Sequence, residues 1–180
     1  MEKRIALLRG INVGGHRKIL MADLRQLLSD QGFEEVSTYI QSGNVFYHPA
    51  KKSSPEEDAD CIEKLILEHF GFEVPVVIIS QAELECALNE NPFYTEGVQE
   101  KQLYFCFLKT KPKTEQLTLT EAFDYSPDQF KIKNKVVFLY YDSLSRNSKL
   151  SNQFFESKLK VKATTRNLKT SRKLLEISKK

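Results

Sequence analysis

The sequence has no apolar stretch able to cross a bilayer. Its longest runs, "IALL" at 5–8 and "VPVVII" at 74–79, fall far short of the roughly 20 residues a membrane helix needs. Arg9 interrupts the only apolar stretch near Met1, so no secretory leader is expected and no membrane partner. Cysteine is scarce. Cys61, Cys86 and Cys106 are odd in number and show no CxxC spacing, which argues against a disulfide framework or zinc site and for a reducing, cytoplasmic setting. Several catalytic signatures are missing too: no GK[ST] of a Walker loop, no GxGxxG, no HExxH and no GxSxG elbow. The three histidines, His16, His48 and His69, are far apart. No metal and no cofactor is therefore expected.

What is present is the composition of an ordinary globular chain. Of 180 residues, 41% are hydrophobic and 28% charged, enough for a packed core in one domain or two small ones. The net charge of +3 hides an asymmetry. Residues 158–180 carry nine Lys or Arg against one acid, Glu176, while residues 1–157 carry 18 bases and 23 acids. A positive end attracts anions, nucleic acid or an acidic partner, although a solvated lysine-rich helix has the same composition.

Periodicity predicts a repeated order. "KRIALLR" reads as a strand with Ile5 and Leu7 on one face and Ala6 and Leu8 on the other. After a glycine-rich loop, Leu20, Leu24, Leu27 and Leu28 recur at helical spacing up to Gly32. "FEEVSTYI" and "VFYH" read as a hairpin turning at "SGN". Ser54, Pro55 and Glu57 open a second helix with a capping box. Its buried stripe is read as Ile62, Leu65, Ile66 and His69 or Phe70, and "PEEDAD" as a solvated first turn. "EVPVVIIS" closes the set, and a helix from Ser80 to about Asn89 follows. The same order recurs over 102–165: "QLYFCFLK", a weak helix at 115–123, a hairpin turning at Asn134, a helix marked by Leu150, Phe154, Phe155 and Leu159, and "VKATTR".

β-α-β-β-α-β is the ferredoxin-like unit. The predicted fold is thus α+β: two ferredoxin-like repeats packed together, plus additional helices. Residues 1–90 form the first half with a trailing helix, 91–101 a linker, and 102–180 the second half with a basic C-terminal helix. "LYFCF" is apolar on both faces, so the second face of its sheet must be covered by the other half, a terminal helix or a second copy. A homo-oligomer is compatible with this. The cysteines lie in helix and strand patterns and are read as small buried hydrophobes.

Four stretches are candidate sites. In "RGINVGGHRK", Arg9, Gly10, Asn12, Gly14, Gly15 and Lys18 combine backbone freedom with positive charge, which suits an anion. A polar β-α connection needs the same residues with nothing bound. In "YIQSGNV", Gln41, Ser42 and Asn44 offer amide and hydroxyl groups beside the turn glycine, either for recognition or for turn capping. "ATTRN" places Thr165, Arg166 and Asn167 at a strand-to-helix junction. There a threonine or asparagine can cap, and Arg166 opposes the helix dipole unless an anion lies between. "SLSRNSKLS", with Ser145, Arg146, Asn147, Ser148 and Lys149, is a similar loop in the second repeat, and Lys169, Arg172 and Lys173 of the basic helix are nucleic-acid candidates.

The stretches "ALLRGINVGG", "MADLRQLL", "TYIQSGNVFY", "NPF" and "TTRN", in this order, resemble the bacterial family called domain of unknown function 1697. The family often has tryptophan after "TTRN", where this chain has Leu168. The resemblance implies a small cytoplasmic α+β protein, and it supplies no reaction.

The leading functional expectation is a non-enzymatic protein that binds an anionic ligand, a nucleotide or nucleic acid first. One alternative is a metal-independent enzyme acting on a phosphorylated small molecule through Arg9, Asn12, Gln41 and Arg166. The other is an oligomerising protein-interaction module.

Overall fold

The computed structural model describes residues 2–49, 51–143 and 145–180. Two compact units emerge, one of Met1–Glu83 with Leu174–Lys180 and one of Leu84–Lys173. In the first unit β1 (Arg4–Leu8), α1 (Met21–Asp30), β2 (Glu34–Tyr39), β3 (Asn44–His48), α2 (Pro55–Phe70) and β4 (Val76–Ser80) follow one another. A helix shared between the units, α3 (Gln81–Asn89), comes next. The second unit contains β5 (Leu103–Leu108), α4 (Thr114–Glu121), β6 (Gln129–Lys133), β7 (Val136–Tyr140), α5 (Asn152–Leu159) and β8 (Ala163–Asn167). The last helix, α6 (Leu168–Ser178), is also divided between the two. A short 3-10 turn at Glu100–Gln102 precedes β5.

Each unit is built on a four-stranded sheet, antiparallel at every pairing, in the orders β2-β3-β1-β4 and β6-β7-β5-β8. The pairings put the first strand of each unit in the middle, where alternating apolar side chains are favoured on both faces. In the first sheet Ala6, Leu8, Val45, Tyr47, Val76 and Ile78 pack with Leu24 and Leu28 of α1 and Ile62 and Ile66 of α2. In the second, Cys106, Leu108, Val137 and Leu139 pack with Phe155 and Leu159 of α5. The alternate positions, Ile5, Leu7, Phe46, Val77 and Ile79 in one sheet and Phe105, Phe107 and Phe138 in the other, are buried as well.

Local signals behave as their chemistry dictates. Ser54 Oγ accepts from the Glu57 amide and the Glu57 carboxylate accepts from the Ser54 amide, a reciprocal box with Pro55 inside the first turn of α2. Ser80 and Glu83 repeat the arrangement at α3. Gly32 follows α1 with φ +87°, a left-handed position where a side chain would be strained.

Three burial expectations are corrected. His69 is exposed, because the buried stripe of α2 runs through Asp58, Ala59, Ile62 and Ile66. Steps of four from Ile66 lead to Phe70 and leave His69 off the stripe. Cys61 and Cys86 are exposed and only Cys106 is buried. The acidic turn "PEEDAD" is not uniformly solvated, since Asp58 is buried.

Candidate functional site

The connection from β1 to α1 is a hairpin within a loop. Asn12 N donates to Arg17 O at 3.1 Å and His16 N to Val13 O at 3.1 Å, with Gly14 (φ +58°) and Gly15 (φ +77°) at the tip. Two left-handed residues in a two-residue turn are what a hairpin with the right-handed twist of its strands requires. The glycines serve the turn, and the loop projects Val13, His16, Arg17 and Lys18 into solvent.

Asn12 clasps the loop. Its side-chain amide donates to Ile19 O at 3.0 Å and to Gln41 O at 2.8 Å, and its Oδ1 accepts from Ile19 N at 3.0 Å. Both amide hydrogens are committed to backbone carbonyls, so Asn12 has no donor left for a ligand. The same bond joins the loop to the β2–β3 turn. Leu8 N donates to Gly43 O at 2.8 Å, and Leu7 pairs with Asn44. A Cβ added to Gly43 would lie 2.6 Å from Leu8 Cβ and 2.8 Å from Ile11 Cδ1. Only glycine lets the turn sit this close while also holding φ +79°.

The other candidates of this turn divide. Asn44 is fully buried, with its amide donating to Tyr39 O at 3.1 Å and Ser42 Oγ at 3.2 Å, so it fastens the turn. Gln41 and Ser42 are exposed. Ile40 between them and β2 holds φ +51°, an unusual backbone for a β-branched residue. Arg9 N is bound to Pro75 O at 3.0 Å. Gly10 (φ +71°) lies beneath the Arg17 guanidinium, and a Cβ there would meet Nη1 at 3.4 Å. Arg9, His16, Arg17 and Lys18 thus share one connection, and no Asp or Glu occurs anywhere in residues 3–22.

The "ATTRN" stretch is β8, which meets α6 directly at Leu168, so Asn167 stands at the strand-to-helix junction. Thr165 Oγ1 donates to Asn152 Oδ1 at 2.7 Å. The Arg166 guanidinium turns along its own strand to Thr164 Oγ1 and Thr165 O, both at 3.0 Å, and burial pushes its pKa down to about 10. Asn167 Oδ1 accepts from Thr170 N at 2.8 Å and caps α6. In the basic helix, Lys169 is exposed. Arg172 is paired with Glu100 and lies 5.3 Å over the Tyr94 ring; hydrogen bonding with Tyr94 first, and then with Glu100, raises its pKa. Lys173 lies on the same helix and is half-buried. Of "SLSRNSKLS", Leu144 is outside the described residues, Ser145 Oγ reaches Tyr104 OH at 3.4 Å, and Ser148 Oγ accepts from Leu150 N.

Sequence reasoning missed a buried polar network in the first unit. Asp58 Oδ2 accepts from Arg4 Nη1 at 2.6 Å and from Tyr47 OH at 2.8 Å, while Oδ1 accepts from Ser53 Oγ at 2.6 Å. Arg4 also donates to Ser53 O at 2.7 Å. Burial first, and then the Asp58 hydrogen bond and charge, push the Tyr47 phenol well above its ordinary range. The signal was available: Asp58 stands four residues before Ile62 on the apolar stripe, where an acid requires a buried partner. Asp58 and Ser53 also border a cavity of about 530 Å³ with Lys51, Lys52 and Cys61. Burial and the Asp58 charge push the Cys61 thiol up, so it lacks the lowered pKa of a nucleophile. Among the described residues no group of three or more His, Cys, Asp or Glu could hold a metal ion, and no helix is long and apolar enough to cross a membrane.

The chain belongs to the family described as "Protein of unknown function (DUF1697)", whose model matches residues 1–138. It is similar over 98% of its length, and 98% of the other chain, to the solved structure of a conserved bacterial protein from Streptococcus pneumoniae. The TM-score is 0.71 at 24% identity, a likeness of fold. No curated protein matches the chain.

Proposed function

We propose that the chain is a non-enzymatic binding protein, built from two ferredoxin-like repeats, that takes the phosphates of single-stranded nucleic acid on its 9–18 loop and the adjoining 41–44 turn. The repeat reading is supported by the shared β-α-β-β-α-β order and by the two matching strand orders. The binding reading rests on one observation above others: Arg17 and Lys18 stand exposed on or beside a hairpin loop, with Arg9 and His16 in the same acid-free stretch, clasped by Asn12 to the turn that exposes Gln41 and Ser42. Clustered cations on a rigid loop neutralise phosphate without ordering costs, and exposed amide and hydroxyl groups can reach sugars or base edges. Arg17 and Lys18 are assigned the phosphate contacts, with Arg9 behind them. The C-terminal helix contributes less in this reading, because Glu100 already offsets Arg172.

Fluorescence anisotropy with a labelled oligothymidylate, repeated across a salt series, tests the proposal. Binding should weaken linearly on logarithmic axes as salt rises. The double variant Arg17→Ala/Lys18→Ala should lower affinity and flatten the slope by about 1.4, two phosphate contacts at about 0.7 each. The variant Lys169→Ala/Lys173→Ala should change the slope less. No binding at low salt, or a larger effect from the helix than from the loop, would overturn the assignment.

A further inference from the structure

The second unit contains a cavity of about 380 Å³ that plays no part in the nucleic-acid reading. Its wall includes four aromatic rings, Phe93, Phe123, Tyr125 and Phe130, and three carboxylates, Glu121, Asp124 and Asp128, against one cation, Lys131. The rings come from three separate stretches of chain: Phe123 packs on Tyr125, Phe130 on Phe154 and Phe155, and Phe93 on Tyr140. Phe123 and Tyr125 are nearly parallel at 8°, with centroids 6.0 Å apart. Phe154 stands edge-on to both, at 5.6 and 5.2 Å, and also contacts Phe130 at 6.4 Å. Two of the acids are fixed as well. Asp124 Oδ1 accepts from Ser126 Oγ at 2.6 Å and Ser126 N at 2.9 Å, and Asp128 Oδ1 accepts from Asp142 N at 2.9 Å.

An aromatic face carries negative potential, and carboxylates nearby deepen it. Two rings of this set already carry a cation over the ring. The Lys158 ammonium lies 4.5 Å from the Phe123 centroid and that of Lys149 lies 5.9 Å from the Tyr125 centroid. Neither lysine lines this cavity, and Lys158 belongs to a neighbouring one that Phe123 also borders. A bare metal ion would need converging oxygens, which the described residues do not supply. An alkylammonium ion matches both kinds of wall, its methyl groups against rings and its charge near carboxylates.

We propose that this cavity is a binding site for a small quaternary ammonium compound, with Phe123 and Tyr125 as its aromatic walls and Glu121 as its exposed counter-charge. The site lies within Leu84–Lys173 and is independent of the nucleic-acid reading. Titration of the isotopically labelled full chain with choline, followed by amide NMR, tests it. The expected result is saturable shifts confined to residues near 121–131, with Kd in the millimolar range. The neutral carbon isostere 3,3-dimethylbutan-1-ol should bind at least about threefold more weakly, the worth of one modest cation–π contact. Phe123→Leu and Glu121→Gln should each weaken choline about two- to fivefold while leaving the remaining spectrum unchanged. Absence of saturable shifts, equal binding of choline and its isostere, or indifference to both substitutions would each overturn the proposal.

Discussion

The chain leaves β1 and β5 from the same place in the same strand order, yet the two connections into the next helix have little in common. Leu8 N bonds Gly43 O in the first unit, and Leu108 N bonds Lys135 O in the second. Arg9 N bonds Pro75 O, and Lys109 N bonds Lys162 O. Beyond these matching bonds, twelve residues, 9–20, separate β1 from α1, whereas five, 109–113, carry β5 into α4. The second unit shows that a short link suffices to make this connection. The hairpin, its clasp and its cations are therefore surplus to the topology, and surplus structure held in left-handed backbone calls for a functional reason. The corner where the third strand meets the second helix differs in the same way. The first unit places a charged set there, with Asp58 and Tyr47 buried and Arg4 and Ser53 half-buried beside them. The second places neutral groups, with Tyr141 OH donating to Leu150 O at 2.7 Å and packing edge-on to Tyr104 at 5.0 Å. One strand order accommodates either chemistry, provided every buried polar atom is answered.

The contrast breaks most visibly at Asp58. Asp58→Ala leaves the Arg4 guanidinium beside the core without its carboxylate and should destabilise the protein by about 3–5 kcal/mol in urea unfolding. Tyr141→Phe removes one neutral hydrogen bond and should cost only about 1 kcal/mol. Comparable losses from the two would mean that the charged corner is no more demanding than the neutral one.

The two hairpin turns sharpen the comparison at a smaller scale. Gly43→Ala must adopt φ +79° and place Cβ against Leu8 and Ile11, a penalty of about 2–3 kcal/mol from strain and overpacking. Lys135 occupies the matching hydrogen-bonding position without positive φ, so Lys135→Ala should be silent within about 0.5 kcal/mol. Thermal denaturation of both variants decides the matter.

One expected effect is common to both units and depends on pH. The phenols of Tyr47 and Tyr141 are raised, each chiefly by burial. A raised folded-state pKa means that the folded chain keeps its proton while the unfolded chain releases it. Stability is therefore intact below about pH 10 and declines above it, by up to about 1.4 kcal/mol per pH unit for each tyrosine. Unfolding measured at pH 9 and 11 should show this decline, and it should shrink in Tyr47→Phe. An unchanged pH response in that variant would assign the alkaline sensitivity elsewhere.

Much of the fold is legible in the sequence. Both β-α-β-β-α-β orders, the Ser54–Glu57 and Ser80–Glu83 boxes and the hairpin at Asn134 rest on interactions within a few residues, and spacing along the chain reports those directly. The two candidate segments, 9–18 and 41–44, were also legible as places of glycine and polar side chains. What each residue does there was not. Gly14 and Gly15 form the tip of a hairpin, and Asn12 looks like a free donor until its amide donates to Gln41 O, 29 positions away.

Hydrophobic periodicity and capping chemistry determined by themselves the element order, the α+β class and the two-sided burial of "LYFCF", because each depends on local backbone geometry or on one strand's own alternation. Only the tertiary structure decided that Asp58 is buried and Cys61 exposed, that Gly43 admits no side chain, and that Phe93 and Phe130 share a cavity with Phe123. Each of these depends on which residue arrives from far along the chain: Arg4 meets Asp58 across 54 positions. A helical or strand period names the face that turns inward, but it carries no information about the group that will stand opposite it.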